Sequence, residues 1–301
     1  MAAYQVIGDW GTSRLRLFRV EGETIVARLQ GPGIGTVGSG AEAAFAETIA
    51  PWLDDGLPAS VTLCGMAGAR DGWVEAPYAD CPADAAVWRT AATRFDWRGV
   101  PVTILAGLAC TDEEGVPDVM RGEEAQIFGA LAHDPALAQG RHLLLLPGTH
   151  NKWAWVEDGR ITAFRTVPTG ELFALLRDRS TLGPRGAPVD PADEAAGFAE
   201  GLARATADQL FHSLFASRAM QLRAGRSPGW AAGYLSGLLI GGEVAQMLAH
   251  MAPTEEALLI GDARLCGLYA QALAGHAVRA AHRDGDACVL AGLGFTGEIN
   301  P

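Results

Sequence analysis

Asp9-Trp-Gly-Thr-Ser-Arg-Leu-Arg-Leu-Phe-Arg-Val-Glu-Gly22 and Pro147-Gly-Thr-His-Asn-Lys-Trp-Ala-Trp-Val-Glu-Asp-Gly159 are faint copies of one another. Gly11-Thr12 and Gly22 match Gly148-Thr149 and Gly159 at one common offset. Each copy follows an apolar run, residues 4–8 or 142–146. It then passes through a Gly-Thr turn, a second strand, a turn at Glu-Gly or Glu-Asp-Gly, and a third strand, residues 23–29 or 160–167. A strand-turn-strand-turn-strand meander is thus used twice. Further apolar strands follow each copy, at 60–64 and 102–105 in the first half and at 257–260 and 277–279 in the second. Between the halves, residues 121–132 read as an amphipathic helix with Ile127, Phe128 and Leu131 on one side. The alanine-rich stretch 191–251 is helical in composition. The expected organisation is two related α/β domains, 1–133 and 134–301.

At 301 residues and 49% hydrophobic, the chain can bury one large core or two modest ones. A net charge of −12 gives no basic footprint for nucleic acid or anionic lipid, so neither is expected as a partner. ATP is compatible with an acidic chain, because phosphates are held by local backbone N–H groups and Mg²⁺. The start MAAYQVIGDWG lacks a basic segment followed by an apolar one, and a cytoplasmic location is the expectation. Five scattered cysteines without a C-x-x-C pair read as reduced thiols. Gly233, Gly237 and Gly241 have the spacing of close helix packing, but their apolar run is short and Glu243 interrupts it, so a soluble packed helix is expected.

A Gly-Thr turn between antiparallel strands offers free N–H groups and a hydroxyl that can wrap a phosphate. Two such turns, one preceded by Asp9 as a potential Mg²⁺ ligand, could grip a nucleoside triphosphate from two sides. Two ordinary hairpin turns would satisfy the same spacing.

The wording of the motifs goes further. Ile7-Gly-Asp-Trp-Gly-Thr-Ser-x-Leu-Arg resembles the first phosphate motif of the actin-like ATPase and sugar-kinase superfamily, and Leu146-Pro-Gly-Thr-His-x-Lys-Trp resembles the second. With Gly65-Met-x-Gly, Gly72-Trp73, Ala76-Pro-Tyr, Val119-Met-Arg-Gly-Glu-Glu-x-Gln, Phe164-Arg-Thr-Val-x-Thr-Gly-Glu-Leu and Leu235-Ser-Gly-Leu-Leu-Ile-Gly-x-Glu-Val, the set is similar to the 2-dehydro-3-deoxygalactonokinases. The resemblance implies two ribonuclease H-like domains, each a mixed five-stranded sheet with flanking helices, around a central cleft. It also implies ATP-dependent phosphorylation of the C6 hydroxyl of 2-dehydro-3-deoxy-D-galactonate, with Mg²⁺ as the metal.

By the same resemblance Asp9 orients Mg²⁺, and Gly11, Thr12, Ser13, Gly148 and Thr149 bind phosphate, with Lys152 and Arg14 as further contacts. Gly261 resembles the adenosine-motif glycine, although Gly261-Asp262 departs from a Gly-Gly pair. The general base is expected from Glu123 or Glu124, since Arg-Gly-Glu-Glu-Ala also resembles the helix start bearing the catalytic glutamate of exopolyphosphatases; Asp71 and Glu171 are reserves. A substrate carboxylate calls for a bidentate arginine, and Arg121 and Arg165 are the candidates. Met66, Gly68, Gly72 and Trp73 are expected to shape the sugar pocket. A homodimer is compatible with these readings.

Three rivals share parts of this pattern. Residues 33–38 match G-x-G-x-x-G with Asp54 and Asp55 downstream, as in a dehydrogenase, but they follow the third strand of a meander rather than opening a βαβ unit, and read better as a loop over the sugar site. A polyphosphate or nucleotide phosphohydrolase would keep the fold and change the acceptor. A nucleotide-gated binding module would keep the fold without turnover.

Overall fold

The computed structural model describes residues 3–183, 190–205, 210–251, 254–295 and 297–299. The first half runs β1 (Gln5–Trp10), β2 (Arg14–Glu21), β3 (Thr24–Pro32), a short helix α1 (Ile34–Val37), α2 (Ala41–Leu53), β4 (Ser60–Gly65), β5 (Tyr78–Asp80) and α3 (Ala85–Thr90). It continues through β6 (Thr93–Trp97), β7 (Val100–Ile104), β8 (Gly107–Thr111), β9 (Pro117–Met120) and α4 (Glu123–His133). The second half runs β10 (Arg141–Leu146), β11 (Asn151–Glu157), β12 (Arg160–Val167), α5 (Thr169–Arg179), α6 (Pro191–Arg204), α7 (Leu210–Ala224) and α8 (Pro228–Ala249). It ends with β13 (Glu256–Gly261), α9 (Ala263–Ala274), β14 (Arg279–Asp284), α10 (Gly285–Gly292) and β15 (Glu298–Ile299). Residues 206–209, inside the expected helical stretch, lie outside the described set.

The repeat in the sequence is a repeat in the sheets. The second sheet has the order β12-β11-β10-β13-β14, and the first contains the corresponding order β3-β2-β1-β4-β7. The first sheet is longer than the expected five strands: β6 extends it beyond β7, and β15 pairs parallel to β3 at the other edge. In each meander the turn into the third strand rests on a left-handed glycine, Gly22 (φ +60°) or Gly159 (φ +75°). β1 lies antiparallel to β2 and parallel to β4, and β10 lies parallel to β13, so each half mixes strand directions. This is the ribonuclease H-like, actin-like ATPase architecture, with an additional three-stranded sheet β5-β8-β9.

Packing divides the chain into two compact units, residues 1–142 with 154–165 and 283–301, and residues 143–153 with 166–282. The first unit buries Val6, Trp10, Leu15, Leu17, Phe45 and Ile49 with the β4 and β7 valines and leucines in one cluster. Alternation explains it: Leu15 and Leu17 point inward from β2 while Arg14 is exposed and Arg16 half-buried. In the second unit α6 and α8 approach through glycines. A Cβ at Gly197, Gly201, Gly233 or Gly237 would overlap the backbone of the partner helix. The glycine spacing therefore serves helix packing, and among the described residues no helix is long and apolar enough to cross a membrane.

Candidate active site

In the first unit the register of the sheet assembles a cluster at the end of β1. Asp9 is opposite Arg16 on β2 and Cys64 on β4. Arg16 Nη2 donates to Asp9 Oδ2 at 2.6 Å, and its Nη1 pairs with Asp286 at the start of α10. Burial alone would weaken the Arg16 charge, but the two carboxylates outweigh it and raise its pKa. Cys64 Sγ lies 3.8 Å from Asp9 Oδ1. Burial, then the charges of Asp9 and Glu124, push that thiol well up, so it stays protonated.

Glu124 is the second carboxyl of this neighbourhood. It enters from the first turn of α4, is fully buried, and both its oxygens accept the Gly122 N–H, at 2.8 and 2.7 Å. Burial, reinforced by the charge of Glu123, pushes it up to about 8. Glu123 is half-buried and accepts the Arg121 N–H at 3.2 Å. The left-handed Gly122 (φ +113°) brings the helix start against Gly65: a Cβ there would meet Gly65 Cα at 3.4 Å.

Arg121 lies with its guanidinium 4.2 Å from the Tyr78 ring centre, and Nη2 donates to the Ala76 carbonyl at 2.8 Å. Its Nε and Nη1 are buried and have no hydrogen-bond partner among the described residues. A Cβ at Gly68 would meet Nη1 at 2.7 Å, so Gly68 makes room for this arginine. Arg165 is elsewhere on the unit: it is exposed and pairs with Asp112 at 2.7 Å. Met66 and Gly68 form a tight turn after β4. Trp73 packs in an aromatic cluster with Trp10, Phe45, Phe95 and Trp97, and with Phe95 and Trp97 it lines a pocket of about 340 Å³ that also takes in Ser39, Glu42 and Asp96. Asp71 is exposed and Glu171 pairs with His150 at 2.7 Å.

The first Gly-Thr turn is closed by Gly11 N–H to Arg14 O at 2.8 Å, with Thr12 and Ser13 exposed. The 33–38 segment braces it from behind. Ile34 N–H donates to Gly11 O at 3.1 Å and Gly35 N–H to Thr12 O at 2.9 Å, while a Cβ at Gly33 would overlap the backbone of residues 12–14. Gly33 and Gly35 therefore let two loops touch.

The second unit holds the other turn. Gly148 N–H donates to Asn151 Oδ1 at 2.7 Å, and Glu171 N–H at the start of α5 donates to Thr149 O at 3.0 Å. Gly148 and Thr149 line a mostly apolar pocket of about 380 Å³ together with Asn151, Leu239, Ile240, Arg264, Leu265, Leu268 and Tyr269. Arg264 pairs there with Glu194 at 2.9 Å. Gly261 does not line this pocket. It ends β13 at φ +147°, ahead of Asp262, which caps α9, the helix that supplies Arg264, Leu265 and Leu268. Lys152 is buried in β11, and its Nζ turns back to the His150 carbonyl at 3.4 Å rather than lining the pocket.

Sequence reading quoted Arg16, Asn151 and Glu243 within its motifs but gave neither them nor Arg264 a role in the site. Arg16 was findable, since strand register places it opposite Asp9. The Glu243 contacts were not, because they join residues 26 to 92 positions apart. Among the described residues no group of three or more His, Cys, Asp or Glu side chains could by itself cage a metal ion.

Comparison with known proteins follows these features along the chain. The family described as 2-keto-3-deoxy-galactonokinase matches residues 9–295. A 2-dehydro-3-deoxygalactonokinase of Escherichia coli strain K12 is 32% identical, over 97% of both chains. DgoK1 of Rhizobium meliloti strain 1021, which carries the same enzyme name, is 38% identical over 97% of this chain and 96% of its own. The crystal structure of a protein from Sinorhizobium meliloti, again under that enzyme name, superposes with a TM-score of 0.87 at 36% identity, over 97% of each chain. The chain belongs to the 2-keto-3-deoxy-galactonokinase family.

Proposed function

We propose that the protein transfers the γ-phosphoryl group of ATP to the C6 hydroxyl of 2-dehydro-3-deoxy-D-galactonate, yielding 2-dehydro-3-deoxy-6-phospho-D-galactonate and ADP in galactonate breakdown. The observation that carries this reading is the pair of differently housed carboxyls around Cys64. Asp9 is partly open and ion-paired, whereas Glu124 is buried and pushed up to about 8. Separate environments for two carboxyls are what a metal ligand and a general base require. The residues 1–133 then supply the chemistry, and 134–301 supply the nucleotide pocket.

In this reading Glu124 takes the proton of the C6 hydroxyl as that oxygen attacks the γ-phosphorus and the bond to the β,γ-bridging oxygen breaks, releasing ADP. Glu123 is the alternative base, favoured by its greater exposure. Asp9 would hold Mg²⁺. One carboxylate suits an ion that takes most of its ligands from water and phosphate oxygens, and when bound it supplies charge neutralisation across the phosphates. Thr12 and Ser13 of the first unit and Thr149 of the second are the proposed phosphate contacts, and the apolar walls Leu239, Ile240, Leu265 and Leu268 take the base. Arg121, whose Nη2 is held by the Ala76 carbonyl, is the candidate partner of the substrate carboxylate and would have to turn its buried guanidinium to meet it. Trp73 and its pocket shape the acceptor side.

The test is ADP release with Mg²⁺-ATP and 2-dehydro-3-deoxy-D-galactonate, its gluconate epimer, polyphosphate or no acceptor, with Asp9→Ala as control. Galactonate-dependent release that is lost in the control supports the kinase. Acceptor-independent release, or phosphate freed from polyphosphate, would make it a hydrolase, and silence throughout would leave a binding module.

A further inference from the structure

Glu243 is the one charged residue in the apolar run of α8, and it is 5% exposed. A carboxylate buried at that depth without a neighbouring cation costs several kcal/mol unless hydrogen bonds replace its water. Here they do. Trp153 Nε1 donates to Oε1 at 2.7 Å, Asn151 Nδ2 and Tyr269 O–H donate to Oε2 at 2.8 and 2.6 Å, and the Thr169 hydroxyl adds a fourth bond. Burial drives its pKa upward while these four donors oppose it.

The donors come from three different elements, and each leads to the second Gly-Thr turn or its pocket. Asn151 is the critical one. An amide that gives its N–H to Glu243 presents its carbonyl to the other side, and there Oδ1 accepts the Gly148 N–H at 2.7 Å. Tyr269 is the second wall of the same arrangement, contacting both Asn151 and Glu243. Thr169 opens α5, whose next residues pack on the turn: Gly170 sits against Gly148 O, and Glu171 N–H holds Thr149 O. The chain from Glu243 to the turn is one residue long and fully hydrogen-bonded.

We infer that Glu243 is a positioning residue for nucleotide phosphate: by fixing the Asn151 amide and the start of α5 it holds residues 148–149 in the phosphate-binding shape. This rests on the reading of residues 148–149 as a phosphate turn. Glu243 touches neither the acceptor nor the reacting atoms, so its loss weakens binding of the phosphates and leaves binding of the nucleoside and of the sugar acid in place.

The experiment measures Mg²⁺-ADP and adenosine affinities by calorimetry, with KM for ATP and for the sugar acid, in wild type, Glu243→Gln and the double variant Glu243→Gln/Asn151→Asp. Glu243→Gln turns one acceptor into a donor facing the Asn151 N–H. The double variant restores a donor-acceptor pair, while the carboxylate introduced by Asn151→Asp still accepts from Gly148. The expected result for Glu243→Gln is a loss of Mg²⁺-ADP affinity of about tenfold, the scale of one buried polar group left unpaired. Adenosine affinity and KM for the sugar acid stay within about twofold, and the double variant recovers most of the loss. Equal weakening of ADP and adenosine, or a lowered Tm with unchanged ADP affinity, would overturn the inference. If Glu243→Gln fails to fold, the double variant decides alone: near-native ADP affinity supports the assignment, and a selective loss in that folded protein contradicts it. A Thr149→Val variant separates the underlying reading, because unchanged ADP affinity there would remove the phosphate role from the turn itself, whatever Glu243 does.

Discussion

The two Gly-Thr turns descend from one repeated pattern yet are held in opposite ways. The first is braced by backbone: residues 33–35 hydrogen-bond to Gly11 and Thr12 and press against them so closely that a Cβ at Gly33 has no space. The second is braced by side chains, through Asn151 and the buried Glu243, and a Cβ at Gly148 would meet nothing within 4 Å among the described residues. The surroundings differ correspondingly. Beside the first turn stand ionisable groups, Asp9, Arg16 and Glu124, and beside the second an apolar pocket. A repeated turn can thus be specialised by what stands behind it, one copy toward charge and chemistry and the other toward holding a nucleotide.

The largest effect expected from breaking this contrast is at Glu124. Glu124→Gln keeps an acceptor for Gly122 but removes the base, and kcat should fall by about 10²- to 10⁴-fold, whereas Glu123→Gln should leave most activity. Wild-type kcat should rise with pH and level off above about 8, as Glu124 loses its proton. Its folded pKa lies above the ordinary 4.5, so the folded state binds more protons than the unfolded one between those values, and stability falls as pH rises through that window. Chemical denaturation of Glu124→Gln should therefore show a gain over wild type that is full above about pH 8 and gone below pH 4.5.

Next in size is Arg121. Arg121→Met should raise KM for the sugar acid by about 10- to 100-fold, the worth of a charge-assisted pair, with KM for ATP unchanged in steady-state kinetics. The bracing itself is tested by two alanines. Gly33→Ala should destabilise the protein by about 1–3 kcal/mol in urea titrations, because its neighbours are backbone. Gly148→Ala should leave the denaturation midpoint in place and raise KM for ATP only. The smallest effect is at the pocket rim: Arg264→Ala, with a side chain 72% exposed, should change stability by less than about 1 kcal/mol.

Much of this was legible from residue order. Glycines 22 and 159 mark the same turn in both meanders, and apolar runs and turns place β1, β3, β10 and β12 within a few positions of their observed ends. The second half of the nucleotide region was less legible, because Gly261 has the place of a ligand glycine while its conformation serves the turn into α9. Arg121 and Arg165 look alike in sequence; only folding shows that one is buried under Tyr78 and bonded to Ala76 and the other exposed and paired with Asp112. The small strands β5, β8 and β9 and the edge strands β6 and β15 carry no strong periodicity, since each is two to five residues long and gains its order from neighbours. The spacing of 33–38 was ambiguous for a physical reason: glycines that permit loop contact and glycines that admit a pyrophosphate satisfy the same spacing.

The most direct test of the kinase reading is to follow Mg²⁺-ATP and 2-dehydro-3-deoxy-D-galactonate with the wild-type protein by phosphorus-proton correlated NMR. A new phosphomonoester signal coupled to the C6 protons, growing as ADP appears and absent with Asp9→Ala, is the predicted result. Inorganic phosphate alone, or a phosphomonoester on another carbon, would contradict it.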